Sequence, residues 1–161
     1  MKHGLTWALM LVITLWLAVC SGCDSSATNL DSGGPRFTVS SEGVITDSKT
    51  GLEWVVGASR VIYSKAEEWV AACDVAGGGW RMPTRRELSA LYQKGAGEFN
   101  MDPAFKVTGS GNTGPLAFFV WAEPRDSSAA WNFDFEHGYE HWNTRWDVYD
   151  LHVFGVRSRQ R

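Results

Sequence analysis

In the stretch Gly79-Trp80-Arg81-Met82-Pro83-Thr84-Arg85-Arg86-Glu87-Leu88, an extended segment turns a corner into a helix. Pro83 crowds the backbone of the residue before it, so Trp80 to Met82 are held out of helical geometry. Thr84 and Glu87 stand three apart, the spacing of a reciprocal capping box. That box starts a helix running to about Gln93, with Leu88 and Leu91 turned inward.

Upstream of this corner, residues 36–40 and 43–46 read as short strands around a turn at 41–43, and residues 47–51 make the next turn. Residues 52–56 follow as a strand. Ser64-Lys65-Ala66-Glu67 has the form of another capping box. It predicts a helix to about Val75, with Ala66, Trp69, Val70 and Cys73 on one face, stopped by Gly77-Gly78-Gly79. Downstream, residues 94–116 are rich in glycine and carry little periodicity. The last third is β. Residues 118–122 are apolar. In Trp131-Asn132-Phe133-Asp134-Phe135 the aromatics share one face, and Asn132 and Asp134 the other. Glu136-His137-Gly138 turns the chain, residues 139–143 return as a hairpin partner, and residues 151–156 close the sheet.

The start of the chain has a different character. Lys2 and His3 precede an almost unbroken apolar run from Leu5 to Val19, and small residues lead into Cys23. A basic start, a short apolar segment and a small-residue site make a secretory signal peptide. The run is too short to span a bilayer comfortably. A cysteine at the cleavage position resembles a bacterial lipobox, which implies lipidation of Cys23 after loss of residues 1–22. Residues 23–35 then form a flexible tether, residues 36–158 the domain and residues 159–161 a basic tail. The expected location is the cell envelope, lipid-anchored on the extracytoplasmic side of the inner or outer membrane.

The 161-residue chain has a formal net charge of −3. An acidic balance argues against nucleic acid or any other dense polyanion, which needs a basic face. Of nine tryptophans, Trp7 and Trp16 lie in the leader, which leaves 9 − 2 = 7. Trp54, Trp69, Trp80, Trp121 and Trp131 read as core. Near the end, rigid aromatics alternate with polar side chains, as recognition surfaces do. Tyr139, His141, Trp142, Asn143, Arg145, Trp146, Asp147 and Tyr149 are therefore the candidate ligand-binding residues. His137, His141 and His152 do not keep a metal-site spacing, since a turn intervenes, and read as solvated or hydrogen-bonded. Arg81, Arg85 and Arg86 sit where an anion meets a helix start, but read as solvated or paired with local carboxylates.

A family likeness rests on several segments. Asp47-x-x-Thr50-Gly51-Leu52-x-Trp54 is followed by Ser64-x-x-Glu67, by Gly79-Trp80-Arg81-Met82-Pro83-Thr84-x-x-Glu87-Leu88, by Ala130-Trp131-x-x-x-Phe135-x-x-Gly138 and by Val156-Arg157. Over about residues 37–158 the chain resembles the Lcl C-terminal domain family, bacterial domains of largely unknown function. The resemblance implies an α+β, C-type-lectin-like fold with two helices packed on short antiparallel sheets, akin to the formylglycine-generating enzymes. Family members commonly join a helix cysteine to one after the closing Val-Arg. Cys73 matches the first and nothing matches the second, so Cys73 is expected to be a free thiol. The enzymes among these relatives use a cysteine pair near the chain end. This chain has none there, and catalysis is not expected; a divergent enzyme of that type is the remotest alternative. Glu123-Pro124-Arg125 and Trp131-Asn132-x-Asp134 echo calcium-binding elements of sugar-binding lectins. Their spacing is short and Arg125 replaces an oxygen ligand, so no cofactor or metal is expected, calcium being the weaker alternative. The function implied is non-catalytic recognition of a glycan, matrix polymer or envelope protein by a lipid-anchored lipoprotein. The alternative is a structural envelope component that docks on a partner protein.

Overall fold

The computed structural model describes residues 34–105, 118–146 and 151–159. These belong to the second of two units into which the chain divides, Gly33–Arg161. Cys23 and all but the last two tether residues lie outside the described residues.

Among the described residues, seven strands form one mixed sheet. They are β1 (Phe37–Val39), β2 (Ile45–Asp47), β3 (Leu52–Ser59), β4 (Phe119–Pro124), β5 (Ala129–Asp134), β6 (Tyr139–Thr144) and β7 (Leu151–Ser158). Their spatial order is β1-β2-β3-β7-β4-β5-β6. Neighbours are antiparallel except β4 and β7, which run parallel. The helices are α1 (Tyr63–Ala72) and the five-residue α2 (Arg85–Ser89), with a 3-10 turn at Val75–Gly77.

This corrects the expected fold class. The domain is not α+β with two helices on short antiparallel sheets. One continuous sheet dominates it, and the helices are minor cover. The last strand is the reason. Residues 151–156 were expected to close the sheet, but β7 lies at its centre, between β3 and β4, and joins two antiparallel groups into one layer. Its run Leu151 to Arg157 is buried throughout, as a strand covered on both faces must be.

Each face carries its own apolar cluster. On one, Trp54, Val120, Phe133, Phe154 and Val156 meet Leu88 and Leu91 of the α2 region and Met101 and Phe105 of the following loop. On the other, Val55, Trp121, Ala130, Leu151 and Val153 meet Tyr63, Ala66 and Val70 of α1, together with Trp80. Asn132 and Asp134 are accordingly buried although they oppose the aromatic face of β5.

The Trp80–Leu88 corner forms as its sequence dictates. Arg81 bridges to Val156 of β7 through two backbone hydrogen bonds, of 3.0 and 2.9 Å. Thr84 and Glu87 make both halves of the capping box. The helix ends at Ser89 rather than near Gln93, and its last turn tightens into i→i+3 bonds from Leu91 and Tyr92. The Ser64 box does not form. Helix α1 begins at Tyr63 with Ile62 as an uncapped N-cap residue, because burial of the Tyr63 ring against Trp121 sets the start two residues earlier. Cys73 is a free, half-buried thiol packed against the α1 cluster.

Candidate functional site

The exposed aromatic residues lie on the β5–β6 hairpin. Asp134 builds its turn: one carboxylate oxygen accepts the Glu136 and His137 N–H groups at 2.8 and 3.1 Å, and the other meets the His137 ring at 2.9 Å. That hydrogen bond raises the His137 pKa. Gly138 completes the turn at φ 78°, against the Tyr92 ring.

Strand β6 is an edge of the sheet, and its pleat divides the predicted residues between two faces. Trp142 lies opposite Trp131, and Glu140 opposite Phe133, on the α2 side. Tyr139, His141 and Asn143 lie opposite Asp134, Asn132 and Ala130, on the α1 side. Asn143 accepts a 2.7 Å bond from buried Asn132, whose own side-chain oxygen has no hydrogen-bond partner among the described residues. Arg145 leaves the strand to pair with Glu67 while its guanidinium covers the Tyr63 ring, 4.6 Å from the centroid. It therefore fastens the hairpin to α1. Trp146 follows at 66% exposure. Asp147 and Tyr149 lie outside the described residues.

On the α2 side the side chains stack into a ladder. Arg85 lies 4.1 Å from the Trp131 centroid, Arg125 lies 5.7 Å from the same ring, and Arg125 lies 4.3 Å from Trp142. The two arginines differ in their electrostatic surroundings. Arg85 reaches Glu123 and Glu140, each at 3.0 Å, and the Glu123 hydrogen bond raises its pKa. Among the described residues, Arg125 faces only the carboxylate of Asp126, at 3.9 Å. The other oxygen of Asp126 is engaged by Ser128 and the Ala129 N–H. The site thus presents a 45% exposed indole beside a guanidinium with no hydrogen-bonded counterion among the described residues.

Sequence reasoning missed Arg125 and Trp131 as neighbours of Trp142, and Glu123 and Glu140 as partners of Arg85. Strict alternation along β6 was the available signal for separating Trp142 from His141. Nothing in the spacing placed the β4–β5 turn over the hairpin. Trp131, read as core, is half-buried between the two arginines. Of the basic corner, Arg81 pairs with both oxygens of Glu87, at 2.8 and 2.6 Å, and Arg85 with the two glutamates.

The residues weighed as metal ligands do not converge. His152 is buried against Phe118, His137 sits on Asp134, and His141 is exposed on β6. Glu123 receives the Arg85 backbone and side chain. Among the described residues, no group of three or more His, Cys, Asp or Glu side chains is placed to hold a metal ion.

A sheet-centred domain that displays an edge hairpin, with an aromatic and cationic outer face, is thus the class this chain defines. Residues 43–157 match the Lcl C-terminal domain model, and the chain belongs to that family. No curated protein sequence matches it.

Proposed function

We propose that this protein is an exported lipoprotein, anchored through Cys23, whose domain recognises an extracytoplasmic ligand without catalysing a reaction. The ligand is a glycan, a matrix polymer or an envelope protein. One observation carries the reading: Trp142 stands 45% exposed on an edge strand, braced by Arg125. Exposing a large indole sacrifices burial worth about 1.5–3 kcal/mol on the scale of other large apolar side chains. A rigid aromatic held beside a guanidinium whose carboxylate neighbour stands 3.9 Å off is the composition of a binding hot spot.

The test is capture of the full-length chain, purified in detergent, on arrays of glycans, matrix polymers and envelope proteins. It is run with and without calcium and at two salt concentrations. The expected result is a salt-resistant ligand that Trp142→Ala no longer captures. Capture that survives Trp142→Ala unchanged, or no capture under any condition, contradicts the reading.

A further inference from the structure

The outer edge of β6 has hydrogen-bonding groups as well as side chains. Arg145 donates its N–H to the Ser128 carbonyl at 2.9 Å, which makes that opposed pair a hydrogen-bonded one. Antiparallel pairs alternate between bonded and non-bonded. The register then directs the backbone groups of Tyr139, His141 and Asn143 toward β5, and those of Glu140 and Trp142 toward the open edge. Among the described residues, no backbone group pairs with them. Such an edge is a template for another strand. At the same place, the Arg125 fork lies over Trp142, and among the described residues its one carboxylate neighbour, Asp126, stands 3.9 Å away, beyond hydrogen-bond distance.

From this juxtaposition we propose that β6 accepts an extended peptide segment of a partner protein as an eighth strand, and that Arg125 binds a carboxylate of that segment. The inference rests on the recognition reading above and names its ligand class. Main-chain bonds to Glu140 and Trp142 supply the docking, and side chains on alternate positions supply the choice of partner. A residue of the added strand opposite Trp142 lies on the face where Arg125 stacks. A carboxylate there meets the guanidinium in a two-point, charge-assisted pair, as the fork geometry favours. A second copy of this chain fits poorly, because pairing two β6 edges about Trp142 brings the two Arg125 cations together. A densely charged polyanion fits poorly as well. Glu123, Glu140 and Asp126 surround the two arginines, a local balance of 2 − 3 = −1.

The experiment uses the full-length chain in detergent and a peptide of about six residues, the common strand length. The peptide is a run of valine and threonine with one glutamate, placed to lie opposite Trp142, and threonine opposite Glu140, since like charges facing across strands repel; twin peptides carry glutamine or lysine in place of the glutamate. The glutamate peptide is expected to bind and to slow hydrogen exchange at the Glu140 and Trp142 amides. The glutamine twin and the Arg125→Gln variant should each lower affinity about tenfold, the size of one charge-assisted hydrogen bond. Arg125→Lys, which keeps the charge and loses the fork, should fall between. An unchanged unfolding curve for Arg125→Gln separates lost binding from lost folding. Equal binding of the three peptides, binding indifferent to Arg125→Gln, or no protection of the two amides overturns the proposal. A glycan that binds through Trp142 while no peptide protects those amides overturns it too, and leaves the recognition reading standing.

Discussion

Arg125 holds its guanidinium 4.3 Å from the centre of the Trp142 ring, although Arg125 belongs to the β4–β5 turn and Trp142 to strand β6. An exposed cation–π contact of this kind contributes about 0.5–1 kcal/mol. That is enough to select a rotamer for each side chain and too little to hold the sheet together. Its consequence is preorganisation: the indole and the cation are already oriented outward before any ligand arrives, which lowers the ordering cost of binding.

The centre of the sheet depends on Arg157. Its side chain is 7% exposed, donates to Glu53 at 2.8 Å, to the Ala76 carbonyl at 3.0 Å and to the Gly78 carbonyl, and lies 4.1 Å from the Trp80 ring centre. It fastens β3, β7 and the 3-10 turn in one grip. Arg157→Ala takes the ion-pair partner from the Glu53 carboxylate, whose side chain is only 12% exposed, and should cost about 3–5 kcal/mol. Urea unfolding measures this. The double variant R157M/E53L should recover part of the loss, and a single-variant cost below about 1 kcal/mol would refute the assignment.

Gly138 is required by its turn. Its φ is 78°, and a Cβ there would lie 2.5 Å from the Tyr92 ring. Side chains pay for that φ in strain of order 1–3 kcal/mol, and the clash adds displacement of a ring packed on Phe133. Gly138→Ala should lower the thermal midpoint by several degrees. An unchanged midpoint contradicts the contact.

Asp47 gives the domain an acid limb. Its carboxylate is 1% exposed and takes both arms of Arg36, the Thr50 hydroxyl and the Lys49 N–H. Burial raises its pKa, and these four hydrogen bonds outweigh the burial, so the group sits below its ordinary value. A lowered folded-state pKa contributes stability that is present above the unfolded value, about pH 4. That stability is lost as pH falls through the folded value. Asp47→Asn should therefore be less stable than wild type at neutral pH and lose less on acidification. Parallel stability curves for the two proteins between pH 7 and pH 2 would count against this account.

The anchor has its own test. Expressed in a bacterial host, the chain should begin at Cys23 and carry acyl mass there, and Cys23→Ala should abolish that mass. An N-terminal peptide that retains the leader, or that starts elsewhere without lipid, refutes the lipoprotein assignment.

Local chemistry was readable and long-range placement was not. The Pro83–Thr84–Glu87 corner, the Asp134 hairpin and the buried Trp54 and Trp121 follow from rules that span a few residues. The Ser64 box failed because a capping pattern is a weak preference, and burial of Tyr63 beside Trp121 outweighs it. The position of β7 was illegible for a different reason. A fully buried apolar strand looks the same in sequence wherever it inserts, and pairing with β3 lies about a hundred residues away. Placing β7 at the centre is what turned the expected short sheets into one. The same limit hid Arg125: alternation locates Trp142 on a face, but only the fold shows which turn folds over it.

The most direct measurement is an NMR titration of the tryptophan indole N–H signals in the full-length chain, using the ligand captured on the arrays. The account predicts saturable movement of the Trp142 indole and of the Arg125 side-chain N–H, with the buried Trp54 and Trp121 signals unmoved. A ligand that binds while the Trp142 and Arg125 signals stay in place would contradict it.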